Sequence, residues 1–435
     1  MYPSPILAVE AVLAILLVSG ILCARPEYGL FLYGLALGFP DIAIPLGTAI
    51  HIRMDDALMV LFLIRCVLWT PAPLVPHQRR ILGWQGIFLV VCFFSAAVEF
   101  AKGTPPAAYE TAKMTGCAAI IFVLPRLVQS ERRLRFLVAG LMFGGIALAM
   151  QILQRLGGGV ENASANFQEL KSAAAFTTWN PNTIGQAAML LVFAAGLGAI
   201  VFPRWQGTRI FWLCLAMGFA GIPAMLYVRG TSLSIFAGFV VYLCLSRQWK
   251  WTIVFLAVCL SAVLILRATN RAMFDGAIRV NVASGAGFSH RYDRWDAAIE
   301  AIRAKPFLGR GFGREWIYLS GAGSDGRAHD AYLSVWIELG VGGLALLLAV
   351  VSQFVAVGLS LYRTPRFRLH GALLLALIFA ICIDSFALPT LYWEKLPVIA
   401  LSIGVALVGI CERNLAERVF QEIRAPGMEA VPQHS

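Results

Sequence analysis

At 435 residues, with 59% hydrophobic and 14% charged side chains and a mean hydropathy of +0.75, the chain has too little polar surface for a water-soluble globule. Its net charge of +11 does not indicate nucleic acid, because the basic residues sit in short connections between apolar blocks, as in the cytoplasmic loops of a membrane protein. The nine cysteines all fall within apolar blocks, so they report packing, and no disulfide framework is expected.

The chain begins MYPSPILAVEAVL, without a basic n-region or a small-residue cleavage site, and no cleaved signal peptide is read there. Apolar blocks then fall at about 5–24, 29–50, 57–73, 81–100, 105–126, 136–154, 183–202, 210–228, 231–246, 251–268, 331–358, 371–388 and 396–412. Since roughly 20 residues cross the hydrocarbon core, these thirteen blocks predict an all-α, polytopic helical membrane protein with about 12 transmembrane helices. Gly38-Phe39-Pro40 interrupts the second block, and one early block is expected not to cross fully. Basic clusters at Arg79-Arg80, Arg132-Arg133-Arg135, Arg204/Arg209, Arg247/Lys250 and Arg363/Arg366/Arg368 mark alternate loops as cytoplasmic. The loops at 155–182, 269–330 and 389–395 then lie outside, in the periplasm of a bacterial inner membrane, and the C-terminus is cytoplasmic. This divides the chain into N-terminal transmembrane helices (1–268), a periplasmic loop subdomain with short helices (269–330), C-terminal transmembrane helices (331–412) and a cytoplasmic tail (413–435).

Residues 289–343 form the one long polar passage. Trp295, Ala298, Ile299 and Ile302 recur at helical spacing and predict a short amphipathic helix on the membrane face, with Ser289 as its N-cap and Lys305-Pro306 as its stop. GRGFG at 309–313 has no βαβ context, so it is read as a turn rather than a dinucleotide fingerprint. Asp55-Asp56 and Asp293/Asp296 lack metal-ligand spacing. No metal and no other cofactor are expected, and any phosphate would be met by arginine.

Arg229 stands in YVRGTS between two apolar blocks, where it either snorkels to the interface or meets a membrane-embedded phosphate. Arg291 and Arg294 share a helical face that is either a solvated basic surface or a phosphate site. His329 opens the helix predicted from 331. The helix dipole and nearby arginines would keep its imidazole neutral and able to act as a general base, although a lone loop histidine is more often without chemistry. Glu10, Glu338 and Asp384 are carboxylates within apolar blocks and need partners; for Asp384 these are an arginine or His329, or a purely structural contact.

Several motifs in order resemble the O-antigen ligase and polymerase superfamily of bacterial polysaccharide enzymes. They are Ser289-x-Arg291-x-x-x-Trp295, Pro306-Phe307-Leu308-Gly309-x-Gly311-x-Gly313, His329-Asp330-x-x-Leu333 and Glu338-x-Gly340-x-x-Gly343, with Arg229 and Asn180-Pro181-Asn182. His290 and Asp330 depart from the glycine and asparagine that the family often carries there. The resemblance covers about residues 180 to 390 and implies twelve spanning helices with both termini inside. It further implies an O-antigen ligase that moves O-antigen from an undecaprenyl-pyrophosphate donor to a sugar hydroxyl of lipid A–core, without metal and with inversion. His329, Arg229 and Arg291 would be catalytic, Arg229, Arg291, Arg294 and Arg310 would hold the pyrophosphate, and Asp384, Asn180, Asn182, Asp330 and Glu338 would support them. The expected partners are these two lipids and the surrounding membrane lipids. The alternatives are an O-antigen polymerase, a protein O-oligosaccharyltransferase and, in another class, a solute transporter with a midplane site.

Overall fold

The computed structural model describes residues 25–40, 43–46, 50–68, 73–103, 105–159, 180–202, 206–226, 228–247, 286–315, 319, 328–386 and 394–424. In chain order these form α1 (Pro26–Ala36), strands β1 (Ala43–Leu46) and β2 (Ile50–Arg53), α2 (Met54–Leu68), α3 (Pro76–Ala101), α4 (Pro105–Leu127), α5 (Glu131–Gly159), α6 (Pro181–Val201), α7 (Gln206–Met225), α8 (Arg229–Leu245), α9 (Ala286–Ala304), α10 (Ala331–Arg363), a 3-10 turn (Pro365–Phe367), α11 (Arg368–Ser385) and α12 (Lys395–Arg424). Six of the described helices (α3, α5, α6, α10, α11 and α12) are long and apolar enough to cross a membrane, and α7 and α8 add shorter apolar segments. The chain is therefore an all-helical polytopic membrane protein, with one hairpin among the described residues. The expected blocks at 5–24 and 251–268, and Glu10 with the first of them, lie outside the described residues.

Proline sets several helix starts. Pro26, Pro76 and Pro181 occupy the first turn, where a missing N–H costs nothing. The block at 29–50 does not run as one helix, because α1 ends before Gly38-Phe39-Pro40 and Pro40 disfavours helical geometry at the residue before it. Gln151 Nε2 of α5 donates to the Gly38 carbonyl at 2.9 Å, satisfying an acceptor that the broken helix leaves open. An antiparallel hairpin follows, with Ala43 opposite Arg53 and Leu46 opposite Ile50, which hydropathy did not reveal.

α1 crosses α5 at glycines on both sides. A Cβ on Gly34 would lie 2.5 Å from the Leu141 nitrogen, one on Gly144 2.7 Å from the Gly34 carbonyl, and Gly38 and Gly140 have no more room. Such backbone approach is how helices associate where lipid removes the hydrophobic drive between them. α6 and α12 fill the centre, with 78% and 89% of their apolar windows buried, whereas α10 and α3, at 33% and 39%, keep one side toward lipid.

Contacts between helix termini sort the bundle into two ends. At one end His77 of α3 pairs with Glu412 of α12, and Arg133 of α5 meets Glu27 of α1 at 3.5 Å. Arg79, Arg80, Arg126, Arg132, Arg135, Arg363, Arg366 and Arg368 belong to helix termini at this same end. At the other end Lys395 of α12 pairs with Asp55 and Asp56 of α2, and Lys113 of α4 meets Glu394 at 3.3 Å.

α9 packs at this second end through Ala298, Ala301 and Ile302, which form a small cluster with Leu319, Ala328 and Ile337. It begins at Ala286, so Ser289 lies inside the helix rather than capping it, and Ile299 is 38% exposed rather than packed. The helix ends at Ala304, immediately ahead of Lys305-Pro306.

Candidate functional site

α10 is 33 residues long and kinks at Gly340, whose φ of 69° and ψ of −169° are non-helical. The kink exposes backbone groups that the turn after α9 takes up. The Arg310 amide donates to the Ile337 carbonyl at 2.7 Å, Gly311 to Glu338 at 3.0 Å, and Val341 to Pro306 at 2.9 Å. Gly309, Gly311 and Gly313 all have positive φ. A Cβ at Gly309 would stand 2.5 Å from the Gly340 nitrogen, so only glycine fits there. The buried Glu338 carboxylate accepts from the amides of Gly313 (3.0 Å) and Glu315 (3.4 Å). Glu338 therefore fastens the glycine turn to the helix. Arg310 Nε donates to the Ala301 carbonyl at 3.1 Å, which ties the same turn back to α9. The contact engages Nε of the guanidinium to which the resemblance assigns a pyrophosphate role.

The turn delivers Glu315 to the start of α10. Its buried Oε1 accepts from the Ala328 amide at 2.7 Å and from Ser334 Oγ at 2.8 Å, while Trp295 Nε1 of α9 donates to the Ala328 carbonyl at 3.1 Å. Both backbone groups of the residue before His329 are thus held. Asp330 caps the helix, accepting from the Tyr332 and Leu333 amides at 2.8 and 2.9 Å. Burial pushes the Asp330 carboxyl above its ordinary range, and those two amides pull the other way. Clamped between these anchors, His329 takes a φ of +52°, in the left-handed region that histidine tolerates better than most side chains, and it stays half-buried. A residue kept in that region by its surroundings is typical of functional positions.

Asp384, near the end of α11, is fully buried and accepts from Thr231 Oγ1 at 2.8 Å. Thr231 lies in the first turn of α8, two residues after Arg229. Arg229 itself is exposed at the N-terminus of α8, where its charge adds to the positive end of the helix dipole. Tyr332, in the first turn of α10, donates its hydroxyl to the Cys382 carbonyl at 3.3 Å, and its ring meets Phe386 with centroids 4.8 Å apart. Thr231 and Tyr332 thereby join the starts of α8 and α10 to the end of α11. α6 is adjacent too, because a Cβ on Gly185 would lie 3.1 Å from Val228 and 3.2 Å from Thr231 Oγ1. Asn180 caps α6, accepting from the Thr183 amide at 2.9 Å, and Asn182 sits in its first turn.

Arg229, His329, Asp330, Asp384, Asn180 and Asn182 therefore gather at one end of the bundle, at or within a turn of helix termini. Arg294 is half-buried on α9, and Arg291 lies one turn earlier on that helix, with a side chain outside the described residues. Glu315, Thr231 and Tyr332 were not singled out from sequence. Only Glu315 left a trace, as a lone acid directly after the glycine turn. Among the described residues no group of three or more His, Cys, Asp or Glu side chains could hold a metal ion. Chemically, the end offers a cation on a helix N-terminus, a buried carboxylate and an imidazole held at a fixed backbone angle.

Residues 217–348, which run from α7 into the first half of α10 past the kink, match a family model described as O-antigen ligase. No curated protein matches the chain.

Proposed function

We propose, from the O-antigen ligase assignment of residues 217–348, that this membrane protein, of the ligase and polymerase class, acts as the ligase. The donor is O-antigen on undecaprenyl pyrophosphate, and the acceptor is a sugar hydroxyl of lipid A–core. The basic end faces the cytoplasm under the positive-inside rule, so the site opens to the periplasm of a bacterial inner membrane. What carries this reading is the convergence of an exposed arginine, a buried aspartate and a clamped histidine at the opposite, less basic end.

In this mechanism His329 removes the acceptor hydroxyl proton as its oxygen attacks the anomeric carbon. The bond from that carbon to the pyrophosphate oxygen breaks, and the lipid pyrophosphate leaves with the electron pair. Arg229, Arg291 and Arg294 stabilise the charge growing on the leaving group, an electrostatic task suited to preorganised cations. Asp384 orients the start of α8 through Thr231 and so places Arg229. Displacement in one step inverts the anomeric centre.

The test is transfer in proteoliposomes given purified lipid-linked O-antigen and lipid A–core. Product on lipid A–core, made by the wild type and lost in Arg229→Ala, is expected. Elongation of lipid-linked glycan alone would instead assign the polymerase reaction, and uptake without transfer a transporter. EDTA is expected to leave the rate unchanged, and strong inhibition would overturn the arginine-only account of the leaving group.

A further inference from the structure

The turn between α9 and the glycine motif projects Phe307 and Leu308 outward, and they are 75% and 89% exposed. They cannot fold back. Pro306, just before them, accepts from the Val341 amide at 2.9 Å and Trp336 Nε1 at 3.1 Å, and Gly309, just after them, is wedged against the α10 kink.

Two helices fix the depth of this turn independently. Counting roughly 20 residues, one hydrocarbon thickness, back from Leu361 at the basic end of α10 reaches the Gly340–Gly342 kink to which the turn is bonded. On α3 the apolar run starts at Ile81, after Arg79-Arg80, and a count of roughly 20 residues reaches Phe100; Ser95, about one and a half turns nearer the centre, accepts through Oγ from the Phe312 amide of the same loop at 3.0 Å. Together these put the turn at, or just inside, the hydrocarbon boundary on the site side. Val341, also 43% exposed, lies at that level. Arg303 and Lys305, which precede Phe307 by four and two positions, are exposed as well.

We propose that Phe307 and Leu308 insert into the bilayer leaflet on the site side while Arg303 and Lys305 engage phospholipid phosphates. The turn is thus an interfacial lipid anchor that sets the height of α9 over the membrane. Apolar tips flanked by cations are the composition that binds such a surface. The anchor would hold the α9 arginines and the Trp295 contact at headgroup level, and it stands apart from the transferase reading.

The experiment places a benzophenone side chain at position 307 or 308, with the same protein kept in the dark as the control. The intact chain is reconstituted in vesicles of phosphatidylethanolamine and phosphatidylglycerol, with no glycan donor or acceptor present. Irradiation is expected to add a phospholipid mass to the peptides carrying 307 and 308, and the dark sample none. Adducts at 308 should favour phosphatidylglycerol beyond its share of the vesicle, and Arg303→Gln with Lys305→Gln should abolish that preference. Crosslinks to polypeptide alone, in this chain or a second copy, or no adduct at all, would overturn the anchor. Lipid adducts indifferent to headgroup charge would overturn the role given to Arg303 and Lys305. Since the readout is a mass and not a turnover, a failed ligase assay leaves this result untouched.

Discussion

His329 combines a reactive side chain with a backbone angle of +52° that its neighbours impose through Glu315, Trp295 and Asp330. Removing the imidazole and easing the backbone are separable. His329→Ala should lower transfer about 10²–10⁴-fold, the range for losing a general base. His329→Gly should lose as much activity yet melt no lower than His329→Ala, because glycine adopts positive φ freely. A wild-type rate in either variant would remove the base role. Asp330 supplies a pH test of the same clamp. Burial raises its folded pKa above the unfolded value, so its contribution to stability is fully present below the unfolded pKa and is lost as pH rises through the folded one. Asparagine caps a helix as well as aspartate but carries no charge to bury. Asp330→Asn should therefore gain melting temperature relative to wild type between acid and neutral pH; a constant difference would contradict the buried-charge account.

The glycine turn and the α10 kink act as one unit. Gly309, Gly311 and Gly340 are there because backbone meets backbone or, at Gly311, the Glu99 side chain, whose Cδ lies 2.5 Å from where a Cβ would stand. Arg314 adds an ion pair to Glu99 at 3.0 Å. Gly309→Ala would combine a clash with a strained φ, so a loss of about 1–3 kcal/mol is expected, read as a lower melting temperature in detergent. Ser352→Ala, at an exposed site on α10 below the kink, should change little. Much of this element could be read from residue order. The turn at 309–313, a helix over Trp295 to Ile302 and the break at Gly38–Pro40 all leave local signals in glycine, proline and period. The hairpin at 43–53 and the kink at Gly340 leave none, since an apolar run suits a strand and a helix alike, and a glycine in a spanning segment is ordinary.

For the whole molecule the governing feature is two ends of unlike charge. The basic end carries the His77–Glu412 contact and the C-terminal half of α12. The candidate site lies at the other end. A C-terminal fluorescent-protein fusion should therefore be bright and an alkaline phosphatase fusion inactive, and the reverse pattern would turn the site toward the cytoplasm. The burial of α6 and α12 at the centre, with α3 and α10 at the rim, leaves the helix starts of α6, α8 and α10 and the end of α11 facing one region.

Residue order alone determined the class: a basic, apolar, helical membrane chain with one polar passage, and an ordered motif set resembling one enzyme superfamily. Hydropathy and periodicity are local sums, so they survive without knowing which helices touch. Tertiary structure decided which residues serve one another. Asp384 and Thr231 are 153 positions apart, and Phe312 and Ser95 are 217 apart. It also turned Glu338 and Arg310 into fasteners of a turn and brought Glu315 and Trp295 to the residue before His329. Hydrogen bonds at those separations depend on which helix ends are packed together, and no local window of sequence carries that information.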